Sequence, residues 1–119
     1  MNKNILASIF FATTLSIPMI ATTVAAGEAS CVIKGGNNEI LYRDKCLFQQ
    51  FGGNGSFSIR SKSGLIVGRE SITVYITEPG VAEVRGLTTA GINSRWGEAI
   101  RSNSDRACWV GSDFTICAY

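Results

Sequence analysis

The sequence predicts an all-β fold: a small antiparallel barrel or sandwich of seven to eight short strands, stapled by two disulfides. Three observations predict it. Turn signals such as Gly36-Asn37, Gly52-Gly53-Asn54-Gly55, Pro79-Gly80 and Gly111-Ser112-Asp113 recur every several residues. Short runs rich in Val, Ile, Phe, Tyr and Thr lie between them and alternate polar with apolar. Four cysteines, Cys31, Cys46, Cys108 and Cys117, fall in a short chain of 119 residues.

An export signal precedes this domain. Lys3 gives a positive start, Ile5 to Ile20 is mostly apolar, and Ala21 to Ala26 is a run of small residues. These are the three parts of a secretory signal peptide. Val24 and Ala26 meet the small-residue requirement at the cut, which places cleavage after Ala26, with Ala25 or Ala29 as alternatives. The competing reading is a membrane anchor. A spanning helix needs about 20 predominantly apolar residues, and Thr13, Thr14, Ser16 and Pro18 interrupt this stretch. Glu28-Ala29-Ser30 before Cys31 disfavours lipidation of that cysteine. The division is therefore residues 1–26 as a cleavable signal peptide and 27–119 as a single disulfide-stabilised β-domain. The expected location is periplasmic or secreted, with no stable membrane anchor after cleavage.

Removal of 26 residues from 119 leaves 93, with ten basic residues against nine acidic ones. Such a near-neutral domain has no long-range field for nucleic acid or anionic membrane. Histidine is absent, and with it the commonest general base and metal ligand. The cysteine spacings do not resemble paired Cys-x-x-Cys zinc ligands, and an oxidising compartment favours disulfides. No metal or cofactor is expected. Four cysteines allow three connectivities; spacing favours Cys31–Cys46 and Cys108–Cys117, since each closes a short loop.

The strands follow in order. Cys31 to Lys34 and Glu39 to Tyr42 should form a hairpin, with Lys34 facing Glu39 and Ile33 facing Ile40. Arg43-Asp44-Lys45 reads as a charged turn before a strand from Cys46 to Phe51. Asn54-Gly55 suits a type I′ turn; with Ser56 it is also a formal glycosylation sequon, read here as a chance match. Ser56 to Arg60 turns Phe57 and Ile59 inward. Leu65-Ile66-Val67 reads as a short buried strand. Ser71 to Thr77 and Val81 to Leu87 form a hairpin, pairing Val74 with Val84, Ile76 with Ala82, Tyr75 with Glu83 and Thr73 with Arg85. That register implies a three-residue loop, whereas Pro79-Gly80 favours a two-residue type II turn. Asn93 to Ile100 fits either a strand around Trp96 or a turn and a short helical piece. The last hairpin places Cys108 opposite Cys117 and Trp109 opposite Ile116.

Several of these residues together resemble a known group. Cys31, Cys46-Leu47-Phe48, Gly55-Ser56-Phe57-Ser58-Ile59, Trp96, and Cys108-Trp109-Val110-Gly111 through Ile116-Cys117-Ala118 resemble a family of small exported bacterial disulfide-bonded β-domains, largely of unassigned function. The resemblance covers nearly the whole mature chain and implies an exported bacterial β-domain, with no activity attached. A weaker, architectural similarity is to periplasmic lysozyme inhibitors, whose Ser-Gly-x-x-Tyr type of segment this chain lacks.

Three functions are weighed. The first is a non-catalytic binding protein with a protein partner in the envelope, such as an inhibitor or immunity partner of an enzyme or toxin. Its candidate contacts are Arg95, Trp96, Glu98 and Arg101, because Trp and Arg are enriched at binding hot spots; the competing reading makes Trp96 core and the arginines plain surface. The second is a glycan-binding barrel module using Tyr75 or Trp96. The third is an enzyme. Glu39, Glu78, Glu83 and Glu98 could supply a carboxylate pair, but the sequence pairs none of them, and serine has no histidine partner. Catalysis is not expected.

Overall fold

The structure is a computed structural model that describes residues 26–119. The expected signal peptide lies outside the described residues except for Ala26. Eight strands run β1 (Ala26–Gly35), β2 (Ile40–Phe51), β3 (Ser56–Ser61), β4 (Ser71–Glu78), β5 (Val81–Leu87), β6 (Asn93–Arg101), β7 (Cys108–Gly111) and β8 (Phe114–Ala118). Each pairs antiparallel with the next. β8 returns to β1 through pairs from Cys31↔Ala118 to Gly35↔Phe114, so the sheet closes into a barrel. Of the two architectures expected, the barrel is the one formed.

Strand alternation fills the interior. Ile33, Ile59, Ile72, Val74, Val84, Ala99 and Ile116 are fully buried, and Phe57, Trp109 and Phe114 nearly so. Both disulfides have the expected connectivity. Cys31–Cys46 lies among the core residues, both cysteines fully buried. Register places Cys31 opposite Asp44 and Ala29 opposite Cys46, so this bond crosses the β1–β2 ladder diagonally. In the last hairpin Cys108 faces Cys117 and Trp109 faces Ile116, as expected. Trp109 and Ile116 join the core, whereas the Cys108–Cys117 bond sits on the alternate, outer face. There the Tyr119 hydroxyl lies 3.6 Å from Cys108 Sγ and donates to Asp105 Oδ2 at 2.5 Å.

The β4–β5 hairpin has all four expected pairs. Its turn reconciles the two competing geometries. A register shift between Ile76 and Glu78 makes Thr77 an extra residue, and Glu78 pairs with Val81. Pro79-Gly80 then forms the two-residue tip, with Gly80 at the positive φ (79°) that the third position of a type II turn requires. The bulge keeps Ile76 aimed inward despite the shorter loop.

Other expectations are corrected. Ile33 pairs with Tyr42 and Lys34 with Ile40, with a register shift between them. Lys34 therefore does not face Glu39. The loop instead closes through Gly35 N to Glu39 O at 2.9 Å, with Asn38 at φ 63°, and Glu39 Oε1 accepts from Asn37 N. Glu39 folds back over its own loop, so it is not free to cross the ladder. Arg43-Asp44-Lys45 is no turn: it lies within β2, bonded to Ser30, Cys31 and Val32. Consecutive charges mimic a turn here because all three residues are exposed while the backbone stays in the ladder. Leu65-Ile66-Val67 is a tight turn closed by the single bridge Ile66↔Arg69, with Val67 and Gly68 at φ 50° and 70°. Ile66 is fully buried and Val67 packs partly buried against the core, whereas Leu65 is exposed. Residues 93–101 form a strand, which removes the helical alternative.

Asn54-Gly55 does not make a type I′ turn. Gly52, Gly53 and Gly55 take positive φ and Asn54 does not, in a four-residue loop beyond the Phe51↔Ser56 pair. Asn54 and Ser56 work elsewhere. Asn54 Nδ2 donates to Ile76 O (3.1 Å) and Ser56 Oγ accepts from Ile76 N (2.9 Å). The β3–β4 ladder itself spans only Phe57↔Val74 to Ile59↔Ile72, so these side chains satisfy both backbone groups of Ile76 beyond its end. Ser56 is correspondingly buried. Ser56→Ala is expected to destabilise the protein by about 1–3 kcal/mol, since it strands the Ile76 N–H. Ser58→Ala, a neighbouring control, should stay within about 0.5 kcal/mol. Urea unfolding of the two variants checks this.

Candidate functional site

The outer face of β5 and β6 carries a charged ladder. Glu83 and Arg85 alternate with the inward Ala82, Val84 and Gly86 and so face outward. Across the ladder Glu83 meets Glu98 and Arg85 meets Arg95. Glu83 organises the cluster: its Oε2 accepts from Arg85 Nη2 at 2.7 Å and pairs with Arg95 Nε at 3.1 Å. Arg85 Nη1 also donates to Asn93 O. The hydrogen bond from Arg95, together with that from Arg85, holds the Glu83 carboxyl below the ordinary carboxylate value of 4.5. Glu98 stands directly opposite Glu83, a like-charge juxtaposition that disfavours the bare sheet; two guanidinium groups beside Glu83 offset it. Next to this ladder, Tyr75, Thr77, Glu83, Arg85 and Asn93 line an open cleft of about 270 Å³. Tyr75 is held edge-on by Phe51, ring centroids 5.8 Å apart.

Because the folded Glu83 carboxyl titrates lower than in the unfolded chain, its ion pairs contribute fully above pH 4.5 and are lost as pH falls through the lower folded value. Glu83→Gln is therefore expected to flatten part of the acid limb of a stability-against-pH profile and to leave its alkaline limb unchanged. Thermal unfolding across pH 2.5 to 8, roughly the range in which carboxylates and their partners change state, measures this. An acid limb identical to that of the parent protein would refute it.

A bulge in β6 sorts the four expected contact residues. Val84 pairs with Gly97 but Arg85 pairs with Arg95, leaving Trp96 as the extra residue. Gly97 takes φ 123°, a conformation an L side chain avoids. The bulge re-aims the strand: Arg95 faces outward with Glu98, and Trp96 turns to the barrel. Its indole meets the Phe114 ring edge-on at 5.6 Å, lies under the Arg69 guanidinium at 5.8 Å, and packs so close to Gly86 that a Cβ there would sit 2.8 Å from Trp96 Nε1. Trp96 is thus mainly packing, with one edge lining a second cleft beside Leu41, Arg95 and Asp113. Arg101 lies at the far end of β6, its guanidinium carbon 5.5 Å from the Trp109 ring. The structure brings Arg95 and Glu98 onto one face, turns Trp96 inward so that only its edge reaches the cleft it shares with Arg95, and leaves Arg101 at the far end of the strand. Sequence reasoning did not select Glu83 and Arg85 as contacts, although the expected hairpin register already placed both on the wet face.

No protein family, curated protein or solved structure matches the chain.

Proposed function

We propose that this chain is an exported binding protein of the periplasm or extracellular space whose β5–β6 outer face docks a protein partner, as an inhibitor or immunity partner of an envelope-acting enzyme or toxin would. The observation that carries the reading is the Glu83-centred cluster. Arg85 and Arg95 are held in place by one carboxylate on a closed barrel, so little side-chain freedom remains to be lost on docking. Complementary charge gives such a face specificity and association rate. Two disulfides fit an oxidising compartment, and the signal-peptide pattern of Met1 to Ala26 and the resemblance to exported bacterial β-domains support the same location.

Affinity capture from a bacterial envelope extract tests the reading. The oxidised protein and its Arg95→Glu variant are immobilised side by side. A protein retained by the parent and lost with the reversed charge is the expected result. An identical set of retained proteins overturns the assignment of this face.

A second reading has one specific observation in its favour. Tyr75 presents an aromatic edge in the same cleft as Glu83, Arg85 and Asn93, a combination that suits a sugar ring with hydroxyl contacts. A glycan array without hits removes it.

A further inference from the structure

The barrel has a second built feature, at the end formed by the β2–β3, β4–β5 and β6–β7 connections. A cleft of about 170 Å³ opens there into the mouth of the barrel. Its inner part is apolar: Phe48 and Phe57 stack with centroids 5.0 Å apart, and Trp109 lies alongside. Phe57 and Trp109 are buried, whereas Gln50, Arg101 and Arg106 are exposed around them. Among the described residues this lining holds two guanidinium groups and no carboxylate.

Arg101 is preorganised. Its Nε donates to Arg106 O at 2.8 Å and its guanidinium rests over Trp109. The Nη groups of Arg101 make no hydrogen bond among the described residues, so that edge of the fork is available. The neighbouring acid does not quench the site, because Asp105 is already committed: Oδ1 accepts from Ala107 N at 3.2 Å and Oδ2 from the Tyr119 hydroxyl. An arginine fixed by its Nε and by an aromatic ring presents its remaining N–H groups to a carboxylate at small entropic cost.

We propose that this mouth binds a small organic acid, a single ring bearing a carboxylate, with the ring against Phe48 and Phe57 and the carboxylate at Arg101 and Arg106. The partly exposed Phe48 ring, backed by Phe57, gives an organic ring a face to rest on that a bare inorganic anion would leave unused. The size of the cleft argues for one ring over a polymer. Mouths of β-barrels are a recurrent place for such sites. This site is separate from the β5–β6 face and does not depend on the reading given to that face.

The test is a titration of the oxidised protein with benzoate, D-glucuronate, D-glucose and inorganic phosphate. It is followed by the NMR signals of the Trp109 indole and the Arg101 and Arg106 side chains. Saturable shifts with benzoate or glucuronate, and none with glucose, are expected; which acid binds tells an apolar ring from a sugar acid. Arg106→Gln, whose side chain makes no hydrogen bond among the described residues, should weaken binding at least about tenfold without disturbing the fold. Arg101→Gln should do the same, and Arg43→Gln, an exposed arginine outside the lining of this cleft, should leave the binding unchanged. Phosphate binding as tight as either ring acid, unchanged affinity in both arginine variants, or no saturable shift with either acid would overturn the proposal.

Discussion

Replacing Cys31 and Cys46 together by alanine is expected to cost about 2–5 kcal/mol of unfolding free energy. For a domain of this size that is a large share of the roughly 5–15 kcal/mol available. The matching Cys108→Ala, Cys117→Ala double variant should lose less. Sequence separations are 15 and 9 residues, and chain entropy alone separates the two by only about 0.5 kcal/mol. The larger difference comes from position. Cys31 and Cys46 are fully buried in the core with Ile33 and Ile59, so loss of two sulfur atoms leaves a void that rigid strands close poorly. The Cys108–Cys117 bond is also buried, but it lies on the outer face, outside the central cluster, where the exposed Tyr119 can settle over two alanines. Urea unfolding of both double variants gives the order directly. A difference of no more than about 0.5 kcal/mol would show that loop closure alone decides, and a reversed order would refute the placement argument.

The fold was legible wherever one local constraint dominated. In β4–β5, strict alternation of Ile72, Val74 and Ile76 against Thr73, Tyr75 and Thr77 fixes which residues face inward, the Pro79-Gly80 turn limits the register, and the structure has the expected pairs. In β7–β8, Cys108 and Cys117 and the pair Trp109 and Ile116 all demand the same alignment. Legibility failed where competing local options differed by little. Gly36-Asn37 would close a tight hairpin, yet Asn38 takes the left-handed conformation and lengthens the loop. Three charges at residues 43–45 read as a turn because nothing local records that β1 bonds their backbone. Asn54 carried a turn signal but serves as a clamp on Ile76, 22 residues away. That role needs the folded neighbour to exist.

The candidate face was half legible for the same reason. Arg95 and Glu98 stand out by residue type, and their separation from Trp96 depends on a bulge at Gly97. Its cause is tertiary: Trp96 fills the space over Gly86, where any side chain would collide with it. Glu83 and Arg85 needed only the correct register of β5, which was at hand, plus the partner strand β6, which was not. The mouth cleft was out of reach. It assembles Phe48, Phe57, Arg101, Arg106 and Trp109 from four strands and a loop, and no spacing in the chain brings those positions together.

Ile116→Ala is expected to cost about 2–5 kcal/mol, and the larger part of it should fall on the unfolding rate. Ile116 is fully buried at the seam where the last strand meets the first, opposite both Ile33 on β1 and Trp109 on β7. Deleting its three outer carbons leaves a cavity bounded by two strands already fixed by disulfides, which limits collapse and sets the magnitude. The kinetic part follows from topology. The β1–β8 pairing joins residues about as far apart as the described chain permits, so its loop-closure entropy is the greatest in the barrel. Local hairpins such as β4–β5 carry no such burden and are expected to form in the transition state first. Val84→Ala in that hairpin should therefore slow folding, whereas Ile116→Ala, only part of whose packing lies within the β7–β8 hairpin, should slow folding less and speed unfolding by up to about two and a half orders of magnitude at the middle of the expected range. Stopped-flow chevrons of the two variants, with disulfides intact, separate the cases. A folding arm lowered as much by Ile116→Ala as by Val84→Ala would mean that the barrel closes before its hairpins are complete.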